Sequence, residues 1–302
     1  MPAIDIHAVS KTYKTVTALE DITFKVHRGE MFGLIGPDGA GKTTLLRILT
    51  TLLLPDRGIA FVEGWDTVRD YRQIRKITGY MPGRFSLYPD LSVRENLEFF
   101  ATIFGTTIEA NYHLIKEIYM QIEPFKDRLA RNLSGGMKQK LALSCALIHK
   151  PSVLILDEPT TGVDAVSRKE FWDMLMKLKQ EGITLLVSTP YMDEARLCDR
   201  VALIQRGKVL KIDPPGKILT DYPGTIWVAK AGRQYPLLLD MRDYEGITAV
   251  YPFGDYIHFT PKSDPFDPAG LKQFLESRGH HDPEILQSEP TIEDCFMALM
   301  TQ

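Results

Sequence analysis

Gly36-Pro37-Asp38-Gly39-Ala40-Gly41-Lys42-Thr43-Thr44 follows the apolar run Met31-Phe32-Gly33-Leu34-Ile35. Glycines at 36, 39 and 41 permit a tight turn whose backbone N–H groups point inward, where they can bind phosphate oxygens. A helix starting near Lys42 adds the positive end of its dipole. From that position Lys42 reaches β- and γ-phosphates, and the Thr43 hydroxyl can ligate Mg²⁺. The alternative is an ordinary glycine-rich strand-to-helix turn. The buried strand before the loop and the helix after it favour a nucleoside triphosphate site, for ATP or GTP.

A second element completes that chemistry. Val153-Leu154-Ile155-Leu156-Asp157-Glu158 is an apolar run ending in two acids. Such a run fits a strand covered on both faces, so its carboxylates emerge at the C-terminal edge of the sheet, beside the phosphate loop. Asp157 suits Mg²⁺ and Glu158 suits a base that polarises attacking water. Between the two halves, Leu133-Ser134-Gly135-Gly136-Met137 opens an amphipathic helix. Ser134 has the chemistry of an N-cap, and its hydroxyl with the next N–H groups can also receive an anion.

The elements that must position these groups alternate along the first two thirds of the chain. Strands are expected at 22–26, 31–35, 78–81, 153–157, 184–189 and 201–205, with helices at 42–50, 92–104, 135–149 and 166–180. That alternation predicts an α/β domain with a mainly parallel sheet and flanking helices. Ser92-Val93-Arg94-Glu95 carries the capping-box pattern of a helix start. After Pro214-Pro215-Gly216 the character changes to short strands at 225–229, 235–239, 247–251 and 256–260, then helices at 268–278 and 291–300. The pattern divides the chain into a nucleotide-binding domain over 1–220, with a helical subdomain at about 85–150, and a small α+β domain over 221–302. His280-His281 sits in a polar Gly/Asp/Pro setting and is read as solvated.

Composition narrows the function classes. Of 302 residues, 44% are hydrophobic and 25% charged, which is ordinary for a globular chain of this length. A net charge of −3 argues against binding nucleic acid by overall basicity. Cys145, Cys198 and Cys295 lack metal-ligand spacing and read as reduced, buried thiols of a cytosolic protein. The N-terminus has no signal-peptide pattern, and no apolar run approaches the ~18 residues of a membrane span.

Leu-Ser-Gly-Gly between a phosphate loop and a strand-end Asp-Glu makes the chain, over about residues 4 to 220, resemble the ATP-binding subunit of an ABC transporter. The resemblance implies ATP and Mg²⁺ as cofactors, a transmembrane permease as partner, and a place on the cytoplasmic face of the membrane through that permease. It implies a head-to-tail pair, homodimer or heterodimer, in which Ser134, Gly135 and Gly136 touch the triphosphate held by the partner's phosphate loop. Closure of that pair on ATP would then drive the attached membrane domains. It places Tyr13 against adenine, although a lone strand aromatic also suits a core, and residues 161–164 at the dimer contact. Met137-Lys138-Gln139-Lys140, the stretch from Ser188 to Glu194, and the final helix resemble the drug-exporter branch.

Two expected groups are missing. Gly83 stands where the family places a Gln near Mg²⁺ and the attacking water, and Pro190 where it places a His at the γ-phosphate. Neither offers a side-chain donor, so slow turnover is expected, with Arg84 or a partner chain as alternative sources of the contact. Residues 85–91 read either as a groove for a permease helix or as core under a long loop.

Overall fold

A computed structural model describes residues 1–300. The chain divides into two compact units, Met1–Pro215 and Gly216–Gln302.

In the first unit, β1 (Ile4–Tyr13) and β2 (Val16–Val26) lead into β3 (Met31–Ile35), the phosphate loop and α1 (Lys42–Leu49). Then come β4 (Arg57–Val62), β5 (Trp65–Asp66), α2 (Tyr71–Ile77) and β6 (Thr78–Met81). Three helices follow, α3 (Val93–Ile103), α4 (Ile108–Tyr119) and α5 (Gly135–Leu147). The unit closes with β7 (Val153–Asp157), α6 (Ala165–Gln180), β8 (Thr184–Thr189), β9 (Arg200–Gln205) and β10 (Lys208–Asp213).

One sheet runs β10-β9-β3-β8-β7-β6, and every pair in it is parallel except β10 with β9. All residues of β3, β7 and β8 are buried. This is what near-continuous apolar runs demand when helices cover both faces. Each fully buried Leu, Ile or Val there contributes roughly 1.5–3 kcal/mol. A second, antiparallel sheet has the order β2-β1-β4-β5. Its packed face joins α1 in one core through residues such as Ile6, Phe24 and Leu45.

The α3 start carries the expected reciprocal cap. Glu95 N–H donates to the Ser92 hydroxyl at 3.2 Å, and Ser92 N–H donates to the Glu95 carboxylate at 2.7 Å. The strands over 31–35, 78–81, 153–157 and 184–189 lie where the apolar runs put them. β1, β4, β5 and β10 lie outside the expected strands.

Helix α7 (Pro215–Thr220) begins at the last residue of the first unit; the second unit continues with β11 (Ile226–Lys230), α8 (Gln234–Arg242), β12 (Ile247–Phe253), β13 (Tyr256–Pro261), α9 (Pro268–Ser277), β14 (Glu284–Ser288) and α10 (Ile292–Met300). Its sheet is antiparallel with order β12-β13-β11-β14. One expectation fails here: residues 235–239 form part of helix α8, not a strand. Leu237, Leu238 and Met241 recur at helical spacing and bury one face of α8. Pro236 lies in the first turn, where its missing N–H costs nothing. The histidine pair also divides. His281 is exposed, whereas the His280 side chain is 9% exposed and its Nε2 lies 2.8 Å from Asp240 Oδ2.

Candidate functional site

Parallel pairing brings four strand ends to one edge of the main sheet. Ile35 pairs with Thr189, Asp157 with Ser188, and Met81 with Leu156. The phosphate loop, Ser188 and Thr189, Asp157 and Glu158, and Pro82 and Gly83 therefore follow one another across that edge, the usual place for a ligand in such a sheet. Gly36 N–H donates to the Thr189 carbonyl at 3.3 Å, and the Ala40 carbonyl accepts from Gly207 N–H at 2.9 Å. These two bonds fix the start and middle of the loop.

Glycine is required at the two ends of the cradle. A Cβ at Gly36 would lie 2.1 Å from the Ile204 carbonyl oxygen. Gly41 has φ +107°, and a Cβ there would meet the Ala18 carbonyl at 2.4 Å. Between them Asp38 and Gly39 are exposed, while Pro37 is half-buried and Ala40 buried. Thr43 and Thr44 begin α1 at the mouth of the loop, both half-buried.

Four of the expected groups converge. Lys42 is 3% exposed, and its ammonium donates to the Gly36 carbonyl at 2.7 Å and the Pro37 carbonyl at 3.0 Å. The same nitrogen stands 3.0 Å from Glu158 Oε1. The Thr43 hydroxyl donates to Asp157 Oδ1 at 3.1 Å. The Thr43 hydroxyl and Asp157 carboxylate are an all-oxygen pair, and a small hard divalent cation completed by phosphate oxygens and water fits that pair. Among the described residues no cluster of three or more His, Cys, Asp or Glu is placed to hold a metal by itself. Thr43 and Asp157 would thus hold Mg²⁺ only together with a ligand's oxygens.

Sequence reasoning missed Ser188. Its buried hydroxyl donates to Asp157 Oδ1 at 2.7 Å and accepts from Glu158 N–H at 3.1 Å. The Ser188 carbonyl accepts from the same N–H at 3.0 Å. Glu158 itself has φ +49°, a left-handed conformation that a non-glycine residue adopts at a cost of order 1–3 kcal/mol. The one signal available was a hydroxyl pair, Ser188-Thr189, ending a strand whose middle, Leu185-Leu186-Val187, is apolar.

Gly83 lies close against Asp157. A Cβ at Gly83 would sit 3.0 Å from the Asp157 carbonyl oxygen and 3.8 Å from its carboxyl carbon. Position 83 therefore faces the acid that suits the metal. Arg84 is exposed. On β6, the Tyr80 phenol is pushed up to about 12, first by burial and then by the Asp157 charge, with Arg47 opposing. It stays neutral at the edge of the site.

The remaining candidates lie apart from this convergence. Ser134 caps α5, accepting from Met137 N–H at 3.3 Å, and both Ser134 and Gly135 are exposed. A Cβ on Gly135 would lie 3.5 Å from the Gly162 carbonyl, and one on Gly136 would be 2.8 Å from the Ser167 hydroxyl. The signature thus packs on the loop that follows Glu158. Tyr13 ends β1 and is 43% exposed, so it is not core. Phe85 and Tyr88 are 41% and 46% exposed, and Lys138 sits 5.5 Å from the Phe85 ring. Beside them lies a cavity of about 630 Å³ lined by Leu52, Tyr80, Leu87, Phe100, Phe104 and His149 among others.

A family model described as ABC transporter matches residues 19–161. The probable multidrug ABC transporter ATP-binding protein YbhF of Escherichia coli K12 is 46% identical over 205 residues, covering 67% of this chain but only 35% of YbhF. The Nod factor export ATP-binding protein I of Bradyrhizobium diazoefficiens is 34% identical over 302 residues, covering 98% of this chain and 96% of that protein. Among solved structures, the ATP-binding cassette MJ0796, a dimer in a post-hydrolysis state bound to ADP and Pi, aligns with TM-score 0.64 and 26% identity over 70% of this chain and 98% of its own. With the site and the sheet edge of a phosphate-loop NTPase in place, the chain belongs to the ATP-binding proteins of the ABC transporter family.

Proposed function

We propose that this chain binds and hydrolyses ATP with Mg²⁺ to energise an exporter built around a separate transmembrane permease. The convergence of Lys42, Thr43, Asp157 and Glu158 carries this reading. Lys42 neutralises the terminal phosphates, Thr43 and Asp157 hold the cation, and Glu158 takes the proton of the attacking water. When bound, Mg²⁺ supplies charge neutralisation at the β- and γ-phosphates. The names of two relatives, a probable multidrug transporter protein and a Nod factor export protein, favour export.

No described helix is long and apolar enough to cross a membrane. On the exporter reading, the translocation path belongs to the permease and this chain is peripheral on the cytoplasmic face. Phe85, Tyr88 and the adjoining cavity form the docking face for a permease helix. Phe85→Ala with Tyr88→Ala should weaken assembly with the permease and spare ATP binding. The signature, Ser134 to Gly136, with Ser134 and Gly135 exposed, meets the triphosphate of a second ATP-binding subunit, identical or not, and Tyr13 lies against adenine. No part of this reading involves nucleic acid.

Titration calorimetry with MgATP and steady-state phosphate release test it. Lys42→Ala should abolish binding, and unchanged affinity in that variant would refute the reading. A second reading, a slowly hydrolysing clamp whose partner performs most hydrolysis, is favoured by the lack of a side-chain donor at Gly83, beside Asp157, and at Pro190.

A further inference from the structure

Glu194 is a carboxylate buried to 2% exposure in the turn Met192–Leu197 that follows β8. A charge taken so far from water is costly unless it is paired and hydrogen-bonded. Both of its oxygens are used. Oε1 accepts the Thr160 hydroxyl at 2.8 Å, and Oε2 accepts the Thr189 hydroxyl in a short bond. Thr160 and Thr189 are each 1% exposed. The Arg168 Nε stands 3.9 Å from Oε1, while its guanidinium lies 4.6 Å from the Tyr191 ring. Thr189 Oγ1 also accepts Tyr191 N–H at 3.0 Å.

The two threonines belong to different segments. Thr160 lies two residues beyond Glu158, at the head of the loop that reaches the α6 cap, Asp164. Thr189 ends β8, directly after the Ser188 that holds the Glu158 N–H, and its carbonyl takes the Gly36 N–H. The backbone around Glu158 is therefore tied to β8 twice, before the residue by Ser188 and after it by Glu194. Between the ties, Glu158 has φ +49°. A left-handed non-glycine residue persists only where its surroundings over-determine it.

We infer that Glu194 is a positioning residue for ATP hydrolysis: by gathering the Thr160 and Thr189 hydroxyls it holds the strained Glu158 backbone so that the carboxylate faces Lys42. This rests on the ATPase reading above. Glu194 bonds none of Lys42, Thr43 and Asp157, so its loss reaches turnover through Glu158 and leaves nucleotide binding in place.

Glu194→Ala in the full chain should lower kcat about 10- to 100-fold, the scale on which a misplaced reacting group slows catalysis. Affinity for MgATP by calorimetry should not weaken, because the lost contact acts on turnover and touches no group that holds the nucleotide. Glu194→Gln, which keeps an acceptor for one threonine and a donor for the other, should recover most of the lost kcat. If the alanine variant does not fold, Thr160→Val removes one hydroxyl at constant shape and should show the same split. An alanine or valine variant with wild-type kcat overturns the inference. So does one whose affinity and kcat fall together, because Glu194 would then brace the fold alone. A wild-type chain that neither binds nor hydrolyses MgATP refutes the ATPase reading itself, and this proposal with it.

Discussion

Lys42 Nζ stands 3.0 Å from Glu158 Oε1 while also donating to the carbonyls of Gly36 and Pro37. An ammonium has three donors, and these three partners occupy them. A triphosphate entering the loop must therefore compete with Glu158 for Lys42, and it meets a second negative charge as it does so. Glu158→Gln removes that charge and, on the proposed ATPase reading, the base with it. We expect ATP to bind about tenfold more tightly, a gain of ~1.4 kcal/mol. Turnover should fall by roughly 10²–10⁴, the usual loss when a positioned base is removed. Calorimetry and single-turnover hydrolysis measure the two effects, and weaker binding in the variant would contradict the competition.

Ser188 is the joint between the two acids. Ser188→Ala deletes the hydroxyl that donates to Asp157 and accepts from Glu158 N–H, while the Ser188 carbonyl still holds that N–H. Removing one partner from a buried pair costs about 1–3 kcal/mol. Denaturant melts should register that loss, and turnover should fall because Asp157 loses a bond that orients it. A variant as stable and as active as the parent would show that the carbonyl suffices.

The chemistry of this chain was more legible in its sequence than the conformations that support it. Asp157 and Glu158 stand at the end of β7, and Lys42 and Thr43 open α1 behind the glycine-rich loop that follows β3; the buried runs of β3 and β7 are apolar enough to locate both places. Ser188 was hidden because a serine in a buried strand is usually silent. The left-handed Glu158 was hidden because a bond from another strand sets it. Helix α8 was misread because five adjacent apolar residues show no period. β1 escaped because register shifts interrupt its pairing with β2 and with it the alternation, and β4 because only Ala60 and Val62 of its six residues are buried.

His149 gives the fold a pH dependence of definite sign. Its ring stacks on Phe104 at 3.8 Å, Nε2 lies 3.3 Å from the Thr78 carbonyl, and Nδ1 is buried without a partner. Burial pulls its pKa down to about 4, against a partly opposing bond to Thr78. The folded state thus prefers neutral imidazole. Below the ordinary value of about 6.5 the unfolded chain binds a proton that the folded chain refuses. Stability is complete above that value and falls as pH drops toward 4. Allowing for partial exposure, the loss is on the order of 2 kcal/mol. His149→Gln should flatten this part of the profile in melts between those limits, and an unchanged slope would assign it to other groups.

The two absent donors can be restored. Position 83 faces the Asp157 carboxyl, with a Cβ only 3.0 Å from the Asp157 carbonyl oxygen. A glutamine there must displace its neighbour by a few tenths of an ångström before its amide reaches the site. Pro190 follows directly on Thr189, whose carbonyl anchors the phosphate loop, so a histidine there would stand at the same edge. One positioned donor at a developing charge is worth ~2.7–4 kcal/mol, or 10²–10³ in rate. Groups that act as a unit do not multiply. We therefore expect Gly83→Gln with Pro190→His to raise kcat by about tenfold or more, each single change achieving less, with ATP affinity nearly unchanged. Phosphate release at saturating MgATP measures this. A double variant no faster than its parent would mean that some other step limits hydrolysis, and the lack of side-chain donors at Gly83 and Pro190 would cease to support a clamp.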